Sequence, residues 1–490
     1  MTATVPAARH AVDATNEPLL ELDEIQAHIV PGFPDTHQRF VGLRLPDGDG
    51  QAAAARAMLA TLTPMVTPAR AGLRHRSRRR ALGPGHDGVS VAVALSSRCL
   101  RVLGQPGLAM IDEAFGAGMG KRSGLLDPAK EGWEVGAPGA ELDILIILAG
   151  DDESRLAEAE APLLAPGHGL TVSHRQTAYR LPGDIEHFGF RDGISQPSLR
   201  GRVDAATPLA ARQPMPAMRD GRAYARPGDV LVWPGQFLFG QPTQSDSSTT
   251  RPGAPRTDPA LARNGSLLVY RKLAQDVAAF RGDTAAMAAA LPVDAGTLRA
   301  WLVGRRPDGS PLVRDETDPS PAEINHFGYD NDAPPIGEVR GARADADGGR
   351  CPLAAHIRKV NPRDQETDQG SQENTLTMMI LRRGITYGPL YDEDPAADRG
   401  LLFLCYQTDI DRQFETLARR WANKSDERPS PGVPNGLDMI IGRTRGPREA
   451  PLPGGHVSTM IDYVIPKGGA YLFTPSIPAL RALSGVPDGR

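Results

Sequence analysis

The sequence predicts an α+β fold in which helices cover one face of a sheet. Three observations carry that expectation. Strand-like and helix-like segments occur in mixed order along the chain. Glycine (53) and proline (45) make up a fifth of the 490 residues, which calls for long ordered loops around short elements. The hydrophobic fraction of 40% is enough for a packed core and argues against wholesale disorder.

The elements follow in order. Residues 1–20 are expected to be a mobile tail. Phe40–Leu45 is the first strand, and Gln51–Leu62 (QAAAARAMLATL), rich in alanine and free of glycine and proline, is a helix. Gly88–Leu95 (GVSVAVAL) is β-branched at alternate positions and predicts a strand; Leu142–Leu148 (LDILIIL) predicts a more buried one. Asp151–Leu164 opens with acidic residues, which suits a helix N-terminus, and Thr171–Tyr179 is another strand. Beyond residue 204 the pattern loosens. Ser266–Leu273, Leu401–Gln407 and Gly469–Phe473 are strands, and Asp411–Asn423 is a helix. Gln241–Asn264, Asp330–Gly349 and Ser425–Pro453 are rich in proline, glycine or small polar residues and predict loops. The segments IEHFGFRD (185–192) and INHFGYDN (324–331) are similar to each other, a hint of two related halves.

Composition removes several classes of function. A net charge of −4 gives no overall basic character for nucleic acid. The run Arg74–Arg80 lacks interleaved aromatics and is expected to be a solvated face. Cys99, Cys351 and Cys405 are odd in number and far apart, against a disulfide framework or a four-cysteine metal site. The first twenty residues hold neither a secretory apolar core nor a twin arginine. The longest apolar stretches are far too short to span a bilayer, so a cytoplasmic protein without a membrane partner is expected. Phosphate-cradling loops, Gly-x-Ser-x-Gly elbows and His-Glu-x-x-His are absent.

Three tracts could carry chemistry. In His187–Pro197 (HFGFRDGISQP), Gly189 and Gly193 bracket Asp192 and permit a tight backbone path, although a turn capped by Asp192 would use the same residues. In Arg350–Arg363, His356 and Arg363 could supply an axial imidazole and a cationic partner for a haem propionate; a structural histidine on a basic helix is the ordinary alternative. In Thr375–Gly388 the strand-like alternation sends Arg382 and Arg383 to opposite sides, so one can enter a pocket while the other stays in solvent.

Jointly and in this order, the three tracts resemble those of the dye-decolourising peroxidases. Gly189–Gly193 is similar to their G-x-x-D-G motif, Cys351–Arg363 to the segment with their haem-ligating histidine, and Ile380–Gly384 to the one with their distal arginine. IQAHIVPGF (25–33), GQFLFGQP (235–242), GSLLVYRKLAQDVAAF (265–280) and GGAYLFTPSI (468–477) extend the resemblance from about residue 21 to the end. It implies two ferredoxin-like halves with antiparallel sheets, 21–203 and 204–490, and one haem b held between them. It also implies a peroxidase that reduces hydrogen peroxide and oxidises dyes and phenols in one-electron steps; the alternative is a non-catalytic haem-binding or haem-trafficking protein. The implied roles are Asp192 and Arg382 for catalysis, His356 as iron ligand, Arg363 for a propionate, and Asp409, with Asp411 close enough to compete, as carboxylate partner of His356. For bulky donors, Tyr387 and then Trp421 are the expected electron-hopping residues. A homo-oligomer is left open.

Overall fold

A computed structural model describes residues 17–164, 169–210, 222–256, 258–314, 319–425 and 435–485. The first half runs β1 (His37–Arg44), α1 (Gln51–Leu62), α2 (Ala69–Leu82), β2 (Ser90–Leu95), β3 (Ile144–Gly150), α3 (Glu153–Glu160) and β4 (Thr171–Tyr179). Its antiparallel strand order is β4-β1-β3-β2. The second half repeats that plan at larger size. β5 (Ser266–Gln275) leads into α4 (Val277–Ala288), α5 (Ala295–Val303) and the short α6 (His356–Val360). A broken strand, β6 (Leu381–Arg382) and β7 (Ile385–Tyr387), then pairs with β8 (Gly400–Gln407). A hairpin of β9 (Arg448–Leu452) and β10 (Gly455–Thr459) precedes the closing strand β11 (Val464–Thr474) and α7 (Ile477–Ser484).

Both halves thus have ferredoxin-like order, the last strand beside the first. They fuse into one nine-stranded sheet through the pairing of Leu95 with Phe473. The expected α+β class holds.

Every residue of β3 is buried, and the reason is that the sheet is covered on both faces. Val41, Ile144, Ile146 and Leu148 pack with α1 and α7 on one face. Phe40, Leu145, Ile147 and Ala149 pack on the other with Ile25, Ile29 and Phe33. Each such Leu or Ile contributes about 1.5–3 kcal/mol of burial.

Several expectations need correction. Residues 1–16 of the expected tail lie outside the described residues, but 17–20 are tied down: Gly201 N–H donates to the Glu17 carboxylate (2.7 Å) and Leu20 is buried. The helix expected over Asp411–Asn423 is π-helical, in two stretches, Asp411–Glu415 and Leu417–Ala422; Glu415 N–H bonds the carbonyl of Ile410, five residues back. The similar segments 185–192 and 324–331 are not equivalent in topology, since one follows β4 and the other lies between α5 and α6. The Arg74–Arg80 run is not a plain solvated face, because Arg76 donates to the Pro31 carbonyl (2.6 Å) and Arg79 pairs with Asp151.

Candidate active site

Alternation along the second half's sheet gives it two different faces. Arg271, Leu273 and Gln275 of β5 and Leu401 and Phe403 of β8 line one cavity of about 320 Å³. Arg382 pairs in register with Cys405, which places it on this same face. Its neighbour Arg383 points away and donates to the carbonyls of His28 (3.1 Å) and Ile29 (2.7 Å). The two side chains leave opposite sides of the strand as expected, but Arg383 does not stay in solvent: backbone carbonyls hold it, and both arginines line a further cavity beside the first.

Asp192 reaches the cavity on a loop whose shape its own residues enforce. Gly189 and Gly193 have φ of 94° and 73°, the left-handed region that a side chain disfavours. Glu186 N–H donates to the Phe190 carbonyl (2.8 Å), and the Glu186 carboxylate accepts from Phe188 N, Phe190 N and Gln275 Nε2. His187 Nε2 donates to the carbonyl of Tyr387 (2.8 Å), pinning the loop to the strand that follows Arg382. The result is a direct contact: Arg382 Nη1 donates to Asp192 Oδ1 at 3.1 Å, and Nη2 to the Ser195 carbonyl at 3.0 Å. Burial alone would raise the Asp192 pKa, but the Arg382 charge and the hydrogen bonds from Gly193 N–H and Arg382 hold it below the ordinary carboxylate value. With 39% of its side chain exposed, the carboxylate is open to the cavity.

Glu186 behaves in the opposite way. Burial pushes its pKa up to about 7 despite three donors, and the nearby charge of Asp192 adds to the rise. The unfolded chain releases this proton near 4.5 and the folded chain near 7, so folding stability should fall as pH rises across that window. Glu186→Gln should flatten the slope of Tm against pH between those values; an unchanged slope would show that another group is responsible.

His356 opens α6 and lines the same cavity, the only histidine to do so among the described residues. Its Nδ1 lies 2.8 Å from Asp438 Oδ2, and Nε2 has no hydrogen-bond partner among the described residues. Asp438 is fully buried, and its Oδ1 accepts from Ile440 N (2.8 Å) and Ile441 N (3.1 Å), which fixes the carboxylate. Burial would lower the His356 pKa, but the adjoining Asp438 carboxylate raises it above the usual imidazole value.

The expectation for Asp409 fails. Its carboxylate accepts from Arg412 N (2.9 Å) at the start of the π-helical stretch, and Arg256 is its ion-pair neighbour at 3.8 Å. Asp411 pairs with Arg122 and Arg419. The physical reason is reach: β8 leads both aspartates to the outer end of the stretch, whereas the loop before β9 folds Asp438 under α6. Asp438 sits in Ser425–Pro453, the segment expected to be a loop, of which Arg448–Leu452 is in fact strand β9. Nothing in LDMIIG marks it, beyond an acid beside an apolar run.

Arg363 and a second arginine, Arg305, complete the cavity. Arg363 donates to the carbonyls of Asn325 (3.2 Å) and Phe327 (2.9 Å) and to Ser195 Oγ (2.9 Å). Arg305 donates to the carbonyls of Gly309 (2.8 Å) and Ile324 (2.9 Å). Both flank the Phe327 ring. Among the described residues neither has a carboxylate within ion-pair distance. Burial lowers both pKa values, that of Arg305 to about 9.

These residues suit a planar, largely apolar metal macrocycle with acidic side chains. The walls are apolar (Phe188, Met378, Ile380, Phe403, Ile440, Val464), one imidazole nitrogen is unengaged, and two buried guanidinium groups have only neutral partners. Asp192, Arg382 and His356 all line this one cavity, so the pair and the imidazole address the same space.

Residues 304–429 match the family model described as Dyp-type peroxidase, C-terminal. The chain is 30% identical to the dye-decolorizing peroxidase msp1 of Mycetinis scorodonius, over 98% of this chain and 91% of that protein. It is 32% identical to the multifunctional dye peroxidase DyP2 of an Amycolatopsis species, over 96% of this chain and 97% of that protein. The chain belongs to the dye-decolorizing peroxidase family. A solved dye-decolorizing peroxidase in complex with 2,6-dimethoxyphenol superposes with a TM-score of 0.74 at 28% identity, covering 95% of this chain and all of that one. Peroxidases of this family are haem-dependent, and this dye-decolorizing peroxidase has the fold of its relatives over nearly its whole length.

Proposed function

We propose that this dye-decolorizing peroxidase holds one haem b per chain between His356 and the Asp192–Arg382 pair, and reduces hydrogen peroxide while oxidising phenols and dyes. The observation that carries the reading is the 3.1 Å contact of Asp192 with Arg382 in the cavity that His356 also lines. His356 would hold the iron through Nε2, since Asp438 engages Nδ1 and keeps the ring oriented. Arg363 and Arg305 would receive the propionates, exchanging neutral carbonyl partners for carboxylates. The haem, when bound, supplies the iron that takes up peroxide and the redox equivalents passed to donors. Asp192 accepts a proton from one peroxide oxygen and returns it to the departing one. Its lowered pKa keeps it ionised in acid and makes the return easy. Arg382 Nη1 keeps that carboxylate in place, Nη2 anchors the guanidinium on the Ser195 carbonyl, and its charge would offset negative charge on the leaving oxygen. A haem carrier without turnover would need the imidazole and the two propionate cations, and would have no use for Asp192 paired with Arg382.

Purified protein loaded with haem and mixed rapidly with peroxide tests the reading; a Soret band that does not respond to peroxide would sink it. The same measurement checks the proton-accepting role. Peroxide reaction should persist into acid and fall only below the ordinary carboxylate range, where Asp192 protonates. Arg382→Leu removes the charge that offsets burial, so that fall should move to higher pH. An unmoved profile would assign the limb to another group.

The three described cysteines are free and buried, which is compatible with the reducing cytoplasm. No helix of the described residues is long and apolar enough to cross a membrane.

The expected hopping residues are both covered. Tyr387 is 1% exposed and, in register with Gly400, lies on the sheet face opposite the cavity; Trp421 is 2% exposed and lines the cavity itself. Neither ring can touch a bulky dye in this fold. Tyr387→Phe and Trp421→Phe should therefore change dye and phenol turnover by the same factor, measured side by side. Selective loss of dye turnover in either would restore that residue as a relay.

A further inference from the structure

A second cavity of about 720 Å³ adjoins the first, sharing Arg191, Asp192, Gln196, Arg382 and Phe403 as common wall. It is the polar side of the site, and its charge is one-sided. Seven arginines line it (Arg76, Arg80, Arg180, Arg191, Arg226, Arg382, Arg383) against three aspartates, with no lysine or glutamate. Two of the aspartates are already engaged: Asp192 with Arg382, and Asp184 with Arg180 at 3.4 Å. The third, Asp229, accepts from Asn325 Nδ2 (2.9 Å).

Most of the arginines have no carboxylate partner among the described residues. Arg76 donates only to the carbonyls of Pro31 and Gly32, and Arg383 only to those of His28, Ile29 and Arg382. Arg80 and Arg226 are exposed at the rim and have neither a hydrogen-bonded nor an ion-paired side-chain partner there. The clustering is close enough to be felt. Burial and then Arg80, Arg180 and Arg226 lower the Arg76 pKa to about 10; burial and then Arg76 lower that of Arg383 to about 9. A concave site of one sign with a low-dielectric floor concentrates the opposite charge. Phe33, Leu181, Pro197 and Phe403 add apolar wall between the cations.

We propose that this vestibule is a binding site for small aromatic anions, phenols bearing a carboxylate or sulfonate, and selects them as donors over neutral or cationic phenols. The inference rests on the peroxidase reading for its biological use, but not for its binding chemistry. The anionic group would sit among Arg76, Arg80 and Arg226, and the ring would lie against the apolar wall toward Asp192 and Arg382. The basic run of α2, which the catalytic cavity does not use, acquires a role here: Arg76 and Arg80 are one turn apart on its face toward the cavity.

The test is equilibrium dialysis of haem-loaded protein, without peroxide, against ferulate and its neutral methyl ester. Ferulate should bind about tenfold more tightly at ~20 mM salt, and raising salt to ~300 mM should erode most of the difference, because the rim charges are solvent-screened. Arg80→Gln/Arg226→Gln removes two exposed rim charges that make no side-chain hydrogen bond or ion pair among the described residues, Arg226 acting on Asp229 through its charge alone, so it should fold normally and lose most of the preference. Arg226→Glu should weaken ferulate further and leave the ester alone. Equal binding of acid and ester, or a preference that survives in the double variant, would overturn the proposal. Because binding is read without turnover, a protein that prefers ferulate yet fails to react with peroxide would overturn the mechanism above and leave the vestibule standing.

Discussion

Asp192→Asn should load haem like the parent and react with peroxide about 10²–10⁴-fold more slowly, the typical loss when one proton-transfer group is removed. Asparagine keeps the shape of the side chain and can still accept from Arg382 Nη1, so the 3.1 Å contact and the loop from Glu186 to Gly193 have no reason to move. What it cannot do is take a proton from peroxide. The loss should appear in rapid mixing as a slower spectral change at unchanged Soret position before mixing. A variant that reacts at the parent rate while Arg382→Leu is inactive would transfer the proton step away from Asp192 and leave charge stabilisation by Arg382 as the main contribution.

His356→Ala should fail to retain haem, with the Soret band lost after gel filtration of a folded protein. No other histidine lines the cavity among the described residues, so no neighbour can replace the missing nitrogen. Asp438→Ala leaves the imidazole but removes the 2.8 Å contact that orients it, and should weaken haem retention about 10–100-fold. Asp409→Ala should retain haem normally, since its contacts are with Arg412 N and Arg256 on the outer side. Equal retention by Asp438→Ala and the parent, with loss in Asp409→Ala, would reverse the assignment of the partner. A melting curve of each apo-protein separates a lost ligand from a lost fold.

Much of the fold was legible because its cause is local. Gln51–Leu62 forms a helix over the expected residues, and Thr171–Tyr179 a strand over the expected residues, since propensity and pattern act on neighbours in the chain. The three tracts that hold Asp192, His356 and Arg382 were legible through their joint resemblance to the family's tracts; taken singly, a capped turn, a structural histidine and a strand flanking a turn would use the same residues. The alternation that separates Arg382 from Arg383 is equally local.

The partner of His356 was not legible. Asp409, Asp411 and Asp438 are equivalent as residues, and 53 to 82 positions separate them from His356, so only the path of the chain between β8 and β9 distinguishes them. The same holds for Arg305 beside Arg363, for the burial of Tyr387 behind the sheet, and for the gathering of Arg76, Arg226 and Arg383 around one cavity. Residues near in sequence reveal their own backbone preferences. Which distant side chains share a low-dielectric space, and therefore which charges find partners and which do not, depends on how the two halves of the nine-stranded sheet pack and on where their long connections settle. That information is carried by packing of the whole chain, since the energy of a charge is set by everything within several ångströms of it and not by its neighbours along the backbone.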